Sequence, residues 1–402
     1  MNRVVVVGAS LAGVSAAESL RERGFDGDIV LVGAEDRLPY TRPPLSKAAL
    51  ADGVDESALR LREPAWFEEQ GVTLRLGEAA TALDTRDRVL RLGAGTSIGY
   101  DGLVIATGSI SRRMPMTLSM PAVHTLRTHD DACRLREALV RGGHLVVVGA
   151  GFIGLETAAT ARGMGLEVTV VDVMPAPMHR FGEHVGAWFR DLHERNGVRI
   201  VCSTGVDSLR AHGDRAHVIL DTGETLIADT VLVGVGGIPA TAWLTGSAVR
   251  CADGVRCEPD LSTGVPGVVA AGDAARWHNA LFAETMRVEH WTNAVEQGVH
   301  AAGTLLGEPR PFESVPYFWT DQFEAKLRCV GRISPEDTVA VLRRDASSLV
   351  AAYGRDGIVR GAVCINAPRQ LATLRSAIAD RTPFRDIAGH APSATSPAAP
   401  RR

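Results

Sequence analysis

The stretch HLVVVGAGFIGLETAATARGMGLEVTVVDVM, residues 144–174, decides the fold. It opens on an uninterrupted aliphatic run, the pattern of a strand buried on both faces. Gly149, Gly151 and Gly154 follow in the spacing G-x-G-x-x-G, and the chain then turns helical. The first glycine permits a sharp turn, the second lets a phosphate approach the backbone, and the third lets helix and strand pack closely. A second strand closes on Asp172, 18 residues after Gly154, where a carboxylate can accept from ribose hydroxyls. The segment reads as strand, phosphate cradle, helix, strand.

The same plan occurs 141 residues earlier, in NRVVVVGASLAGVSAAESLRERG, residues 2–24. Here the turn is Gly8-x-Ser10-x-x-Gly13, so serine replaces the middle glycine, and Glu35 stands 22 residues beyond Gly13. One such fingerprint is weak, because glycine turns before helices are common. Two in one chain, each ending in an acid, point to two dinucleotide sites, one for a bound redox cofactor and one for a diffusing one. FAD and NAD(P)H are the usual combination. Asp172 favours NADH, since a carboxylate there repels a 2′-phosphate, and VMPAPMH after it lacks an arginine cluster, Arg180 being the nearest.

With 402 residues, 45% hydrophobic and 22% charged, the chain is long enough for two or three ordinary globular domains. A net charge of −4 gives no electrostatic case for nucleic acid or an anionic membrane as partner. No apolar run approaches the ~20 residues of a membrane span, and the N-terminus runs straight into a strand, so the cytoplasm is the default expectation. The six cysteines, Cys133, Cys202, Cys251, Cys257, Cys329 and Cys364, form no C-x-x-C and no zinc-ligand spacing, so no metal is expected. Lysine is the rare residue: only Lys47 and Lys326 stand among 43 lysines and arginines. A compact amine in place of a planar guanidinium suggests a tight site at Lys47.

Two further strings frame the second fingerprint: LVIATGS, residues 103–109, and TGVPGVVAAGDAAR, residues 263–276. With VGVGGIP, residues 233–239, they resemble the FAD-dependent pyridine-nucleotide reductases of the glutathione-reductase type. PYTRPPLSK (39–47), GFIGLETAATA (151–161), VEHWTNAVEQG (288–298) and PYFWTDQFEAKLRCVG (316–331) resemble one branch of them closely. This is the NADH-dependent ferredoxin reductases of bacterial oxygenase and cytochrome P450 systems, and the likeness runs from about Arg3 to residue 371. It implies an α/β fold with two Rossmann-like domains, the NAD domain inserted in the FAD domain, and an α+β C-terminal domain. The expected division is 1–112 and 241–317 for FAD, 113–240 for NAD, 318–390 for the C-terminal domain, and a disordered tail over 391–402.

The resemblance also implies roles. FAD contacts are expected from Gly8, Ser10, Ala12 and Gly13 in the first cradle, and from Glu35, Arg42, Lys47 and Ala80 after it. Ala106, Thr107, Gly108, Arg127 and Asp273 join them, with Asp273 also a possible N-cap and Arg127 otherwise a linker charge. Trp291 would abut the flavin pyrimidine edge at a helix N-terminus, and Trp319 would lie at the other approach to the ring. NAD contacts are expected from Gly149, Gly151, Ile153, Gly154, Asp172, Arg180 and Gly236. The catalytic pair is Lys47 and Glu156, an ammonium beside the flavin N5 edge held by a carboxylate, against the alternative of a plain surface salt bridge. Disulfide-reducing relatives carry their redox cysteines around residues 40–55, whereas the first cysteine here is Cys133. Electrons would therefore leave the flavin singly, to a small [2Fe–2S] ferredoxin serving a P450 or oxygenase. Arg112, Arg113, Arg310, Lys326, Arg328 and Arg332 are candidates for docking that acidic partner. Rubredoxin or a nitrite-reductase-type acceptor, and a non-catalytic NADH-sensing flavoprotein, stand as alternatives. A monomer or weak dimer is expected.

Overall fold

The computed structural model describes residues 1–53, 55–93, 95–114 and 120–389; the tail expected to be disordered lies outside them. Three five-stranded sheets organise the chain. The first is wholly parallel, in the order Val268–Ala270, Gly102–Ile105, Arg3–Val7, Asp28–Val32, Val72–Arg75. The second is also parallel, in the order Val198–Val201, Glu167–Val171, His144–Val148, Thr230–Val233, Val123–His124. All of its strands fall between two strands of the first sheet, so one nucleotide unit is inserted in the other. Ser109–Ser111 pairs antiparallel with Gly237–Pro239 where the chain leaves and re-enters. The third sheet is antiparallel, Tyr317–Gln322, Ala325–Gly331, Ile358–Ile365, Leu349–Arg355, Thr338–Arg344, with helix Arg369–Ala379 completing an α+β unit.

Valine runs make the parallel sheets because both faces are covered: Val4 to Val7 and Leu145 to Val148 are all buried. Helix Leu11–Glu22 lies against Trp291–Leu305, and small residues set the spacing. A Cβ on Gly298 would come within 2.5 Å of the Ala12 carbonyl oxygen. The short segment around residues 40–59 joins the inserted unit and the C-terminal sheet in one hydrophobic core. Tyr40, Leu45 and Leu50 pack there with Leu155, Phe181, Phe318 and Tyr353. The rings of Phe152 and Phe318 meet at 4.7 Å, and Tyr353 donates to the Phe181 carbonyl at 2.7 Å. Three units thus meet around that segment. Among the described residues no helix is long and apolar enough to cross a membrane.

The third glycine of each fingerprint is a packing requirement. A Cβ on Gly154 would stand 2.0 Å from the Gly149 carbonyl oxygen, a backbone atom that cannot swing aside. Alanine gains up to ~1 kcal/mol of helix propensity over glycine, while overpacking costs about 1–3 kcal/mol or more. Gly154→Ala should therefore lower stability, by about 1–2 kcal/mol in urea unfolding. A neutral or stabilising result would contradict this packing.

Candidate functional site

Helix Leu11–Glu22 starts at Ser10 with extended backbone and no side-chain cap, so its first amides are left for a ligand. Gly8 makes the turn at φ +120°, and a Cβ there would strike the Ala106 carbonyl oxygen at 2.1 Å. Glu35 follows the second strand and is clamped. The Tyr40 hydroxyl donates to its Oε2 at 2.6 Å, and Arg42 pairs with its Oε1 at 2.8 Å. Arg42 also donates to the Arg127 carbonyl at 2.7 Å, tying Glu35 to the strand-crossing region. Burial pushes the Tyr40 phenol well above its ordinary value, so it remains a donor. Ala80 opens strand Ala80–Asp84 and is half-buried against the outer core of the first sheet.

Ala106, Thr107 and Gly108 follow the central strand Gly102–Ile105, with the Thr107 hydroxyl donating to the Ala240 carbonyl at 2.8 Å. Asp273 meets Arg127 at 2.9 Å and the Ser109 hydroxyl at 3.1 Å, so two residues each expected at the FAD converge although 146 residues separate them. Trp291 starts helix Trp291–Leu305 with 39% of its surface exposed and donates through Nε1 to Thr41 at 3.2 Å. Its ring meets Trp319 edge-on at 6.1 Å, and Trp319 stacks on Tyr317. Next to them His290 packs on Phe318 at 4.6 Å with its Nδ1 unpartnered. Burial, then the nearby charges of Arg180 and Arg332, push the His290 imidazole down to about 3.

Lys47 lies between the 3₁₀ turn Pro43–Ser46 and helix Ala48–Ala51, where Pro43 and Pro44 set the turn. Its Nζ sits 2.6 Å from Glu156 Oε2, on the second fingerprint helix. Glu156 is only 7% exposed, while the Lys47 side chain keeps 27% of its surface. The surface-salt-bridge alternative therefore fails for the carboxylate. Ser46 Oγ donates to the same oxygen at 2.5 Å, and Thr320 Oγ1 donates to Oε1 at 2.6 Å. No cysteine lies within residues 40–59.

The second cradle repeats the first. Gly149 turns at φ +109°, and helix Phe152–Gly163 begins at Gly151 with no side-chain cap. A Cβ on Gly151 or Gly236 would meet nothing within 4 Å, so the turn is open on the side a pyrophosphate would take. Ile153 presents 41% of its surface there. Asp172 accepts from Ala150 N at 2.5 Å and Met174 N at 2.8 Å. Each oxygen retains a lone pair for a ribose hydroxyl. Arg180 faces Arg332, Glu289 and Cys329, and desolvation lowers its pKa from the usual arginine range. Arg190, unflagged by the sequence, is the arginine that reaches the turn after Asp172, donating to the Pro175 carbonyl at 3.3 Å and pairing with Glu194.

Both sites fit a dinucleotide, with uncapped helix amides beside a close glycine turn and an acid just past the end of the adjoining strand. Sequence reading missed Tyr40, Ser46, Ser109 and Thr320. Tyr40 and Ser46 lie inside a string already singled out, and their polarity amid prolines was the available signal. Of the proposed docking cations, Arg328 pairs with Asp321 at 2.7 Å and Arg332 with Glu284 at 3.1 Å. Among the described residues no group of three metal-ligating side chains assembles.

The fold and site define a two-dinucleotide oxidoreductase. The chain belongs to the pyridine nucleotide-disulphide oxidoreductase family, whose model matches residues 2–298, and residues 317–394 match the reductase C-terminal family. It is 37% identical over 387 residues to rhodocoxin reductase of Rhodococcus erythropolis, covering 95% of this chain and 90% of that one. It is 36% identical over 380 residues to the ferredoxin–NAD(+) reductase component of the anthranilate 1,2-dioxygenase system of Burkholderia cepacia, covering 93% of each. Its structure matches that of the covalent putidaredoxin reductase–putidaredoxin complex with a TM-score of 0.90, at 33% identity over 95% of this chain and 94% of that chain.

The half-buried His290, desolvated beside Phe318, has a consequence in solution. Unfolded, its imidazole titrates near 6.5; folded, near 3. Between those values the unfolded chain binds a proton that the folded one refuses, so stability falls as pH falls from about 6.5 toward 3. In His290→Gln that dependence should be shallower by up to one proton, about 1.4 kcal/mol per pH unit, in urea unfolding between pH 7 and 4. Identical slopes in the two proteins would refute it.

Proposed function

We propose that this protein takes hydride from NADH onto a bound FAD and passes electrons singly to a small [2Fe–2S] ferredoxin serving a cytochrome P450 or oxygenase. The observation that carries the reading is the Lys47–Glu156 pair on a cysteine-free segment, where disulfide-reducing members of the wider family place a dithiol. With no thiol relay there, electrons leave to an external acceptor. The names of the relatives support a ferredoxin as that acceptor.

FAD held here would supply the chemistry of accepting hydride and releasing electrons one at a time. The chain's own residues prepare the site. The amides at Leu11 to Gly13 and the helix dipole hold the pyrophosphate of FAD, and Glu35, fixed by Tyr40 and Arg42, accepts ribose hydroxyls. Ala106, Thr107 and Gly108, with Asp273, Ser109 and Arg127, form a polar wall where two strands end. Ala80, at the head of strand Ala80–Asp84, is assigned to the FAD side. Lys47 places an ammonium at the ring edge, Glu156 keeps it oriented, and the N-terminus of the Trp291 helix adds positive potential. Trp291, Trp319 and His290 exclude water from the approach to the ring. Gly149, Gly151, Ile153 and Gly154 take the NADH pyrophosphate, Asp172 its ribose, and Gly236 and Arg180 border the path to the flavin. All six cysteines are free thiols, which supports a reducing compartment and hence the cytoplasm.

The test is cytochrome c reduction by the FAD-loaded protein with and without a [2Fe–2S] ferredoxin. Turnover that needs both NADH and the ferredoxin is expected, and turnover indifferent to ferredoxin would overturn the assignment. Asp172→Asn keeps the size but removes the charge. It should narrow the preference for NADH over NADPH in kcat/KM by about 10–100-fold. An unchanged preference would remove Asp172 from the nucleotide site.

A further inference from the structure

Glu156 does not end the polar chain that begins at Lys47. Behind Thr320, Gln322 Nε2 donates to Thr320 Oγ1 at 3.1 Å, and Gln322 Oε1 lies 2.8 Å from His193 Nε2. Thr320, Gln322 and His193 are all essentially inaccessible to water. Thr320 and Gln322 alternate on strand Tyr317–Gln322 of the C-terminal sheet, so both project to one face. His193 comes from helix Gly182–Arg195 of the inserted unit, and its ring is held edge-on by Phe323 at 5.2 Å.

The direction of every proton in this chain follows from its end. A carboxylate paired to an ammonium accepts and does not donate, so the single Thr320 proton goes to Glu156. Thr320 oxygen must then accept, so Gln322 turns its amide nitrogen toward it. The Gln322 oxygen therefore faces His193, whose Nε2 must carry hydrogen. Its Nδ1 is left as an unpartnered lone pair. Burial holds this imidazole neutral, pushed down to about 4, as that tautomer requires. The chain is fully ordered, each donor pointing to the next group along it and only Thr320 reaching the carboxylate.

We propose that Thr320 and Gln322 are positioning residues for the hydride-accepting site: through them the C-terminal domain holds the Glu156 carboxylate and, through it, the Lys47 ammonium. This rests on Lys47 standing at the flavin edge. A domain otherwise available as a docking surface thus takes part in the reductive half of the reaction. Without the Thr320 proton, the carboxylate draws more heavily on Lys47, and less of the ammonium's field reaches the flavin.

The test uses the FAD-loaded full chain in four forms: Thr320→Val, Thr320→Ser, Glu156→Gln, and Thr320→Val with Glu156→Gln. Two quantities are read, the limiting rate of flavin reduction by NADH in anaerobic stopped flow and the flavin midpoint potential by dye equilibration. Thr320→Val should slow reduction about tenfold, the scale of one charge-assisted hydrogen bond. NADH affinity should stay within about twofold, and the midpoint should become more negative. Thr320→Ser should restore both. In the Glu156→Gln background, Thr320→Val should change neither quantity further. Equal effects of Thr320→Val in both backgrounds, or none in either, would overturn the proposal. If Glu156→Gln itself leaves rate and potential unchanged, the placement of the Lys47–Glu156 pair fails instead, and the proposal with it. If Thr320→Val does not retain FAD, Gln322→Met takes its place, with a loss of about threefold expected and the same cycle deciding.

Discussion

A carboxylate shut away from water has to be answered by donors, and Glu156, on the inserted unit's helix, draws its donors from two other parts of the chain. Lys47 and Ser46 come from the segment after Glu35, and Thr320 from the C-terminal sheet. An isolated buried charge would cost several kcal/mol, so any arrangement that separates these elements is penalised. The apolar contacts at the same place work in parallel. Phe152, Phe181 and Phe318 close on one another beside the polar chain, and Tyr353 is anchored to the backbone of Phe181. The polar centre sets the register of the three units, and the aromatic cluster supplies the burial.

Around that joint the two nucleotide units are built by the same rule. In each, a glycine turn lets a helix start hard against its strand, and the helix begins without a side-chain cap. The serine that interrupts the first fingerprint is tolerated because Ser10 occupies the N-cap in extended backbone, where a small side chain fits. The two acids differ in their surroundings. Glu35 is held by side chains, Tyr40 and Arg42, whereas Asp172 is held by backbone amides. Amides cannot rearrange independently of the turn, so Asp172 is the more rigid of the two.

Much of this was legible in the sequence because it is local. Valine runs, glycine spacing and the acid that closes each second strand all lie within about thirty residues, and they declare both nucleotide units. Lys47 was legible through rarity, and its partner through resemblance. What could not be read were contacts whose members are far apart in sequence and alike in kind to many others. Arginine is abundant in this chain, so nothing local separates Arg180, turned toward Arg332 and Glu289, from Arg190, which reaches Pro175. Thr320 meets Glu156 across 164 positions, and in the sequence it is one of several polar residues alternating along a strand. Such pairings depend on how units dock, which no short window encodes.

The proposed function stands on the Lys47–Glu156 pair lying at the edge of the flavin and organising the reaction there. A crystal structure of the FAD-loaded protein tests it directly. Lys47 is expected to remain paired with Glu156, with Thr320 still donating to the carboxylate and the ammonium lying against the isoalloxazine ring. A flavin seated away from Lys47, or a Lys47 side chain turned to solvent with Glu156 paired elsewhere, would contradict it.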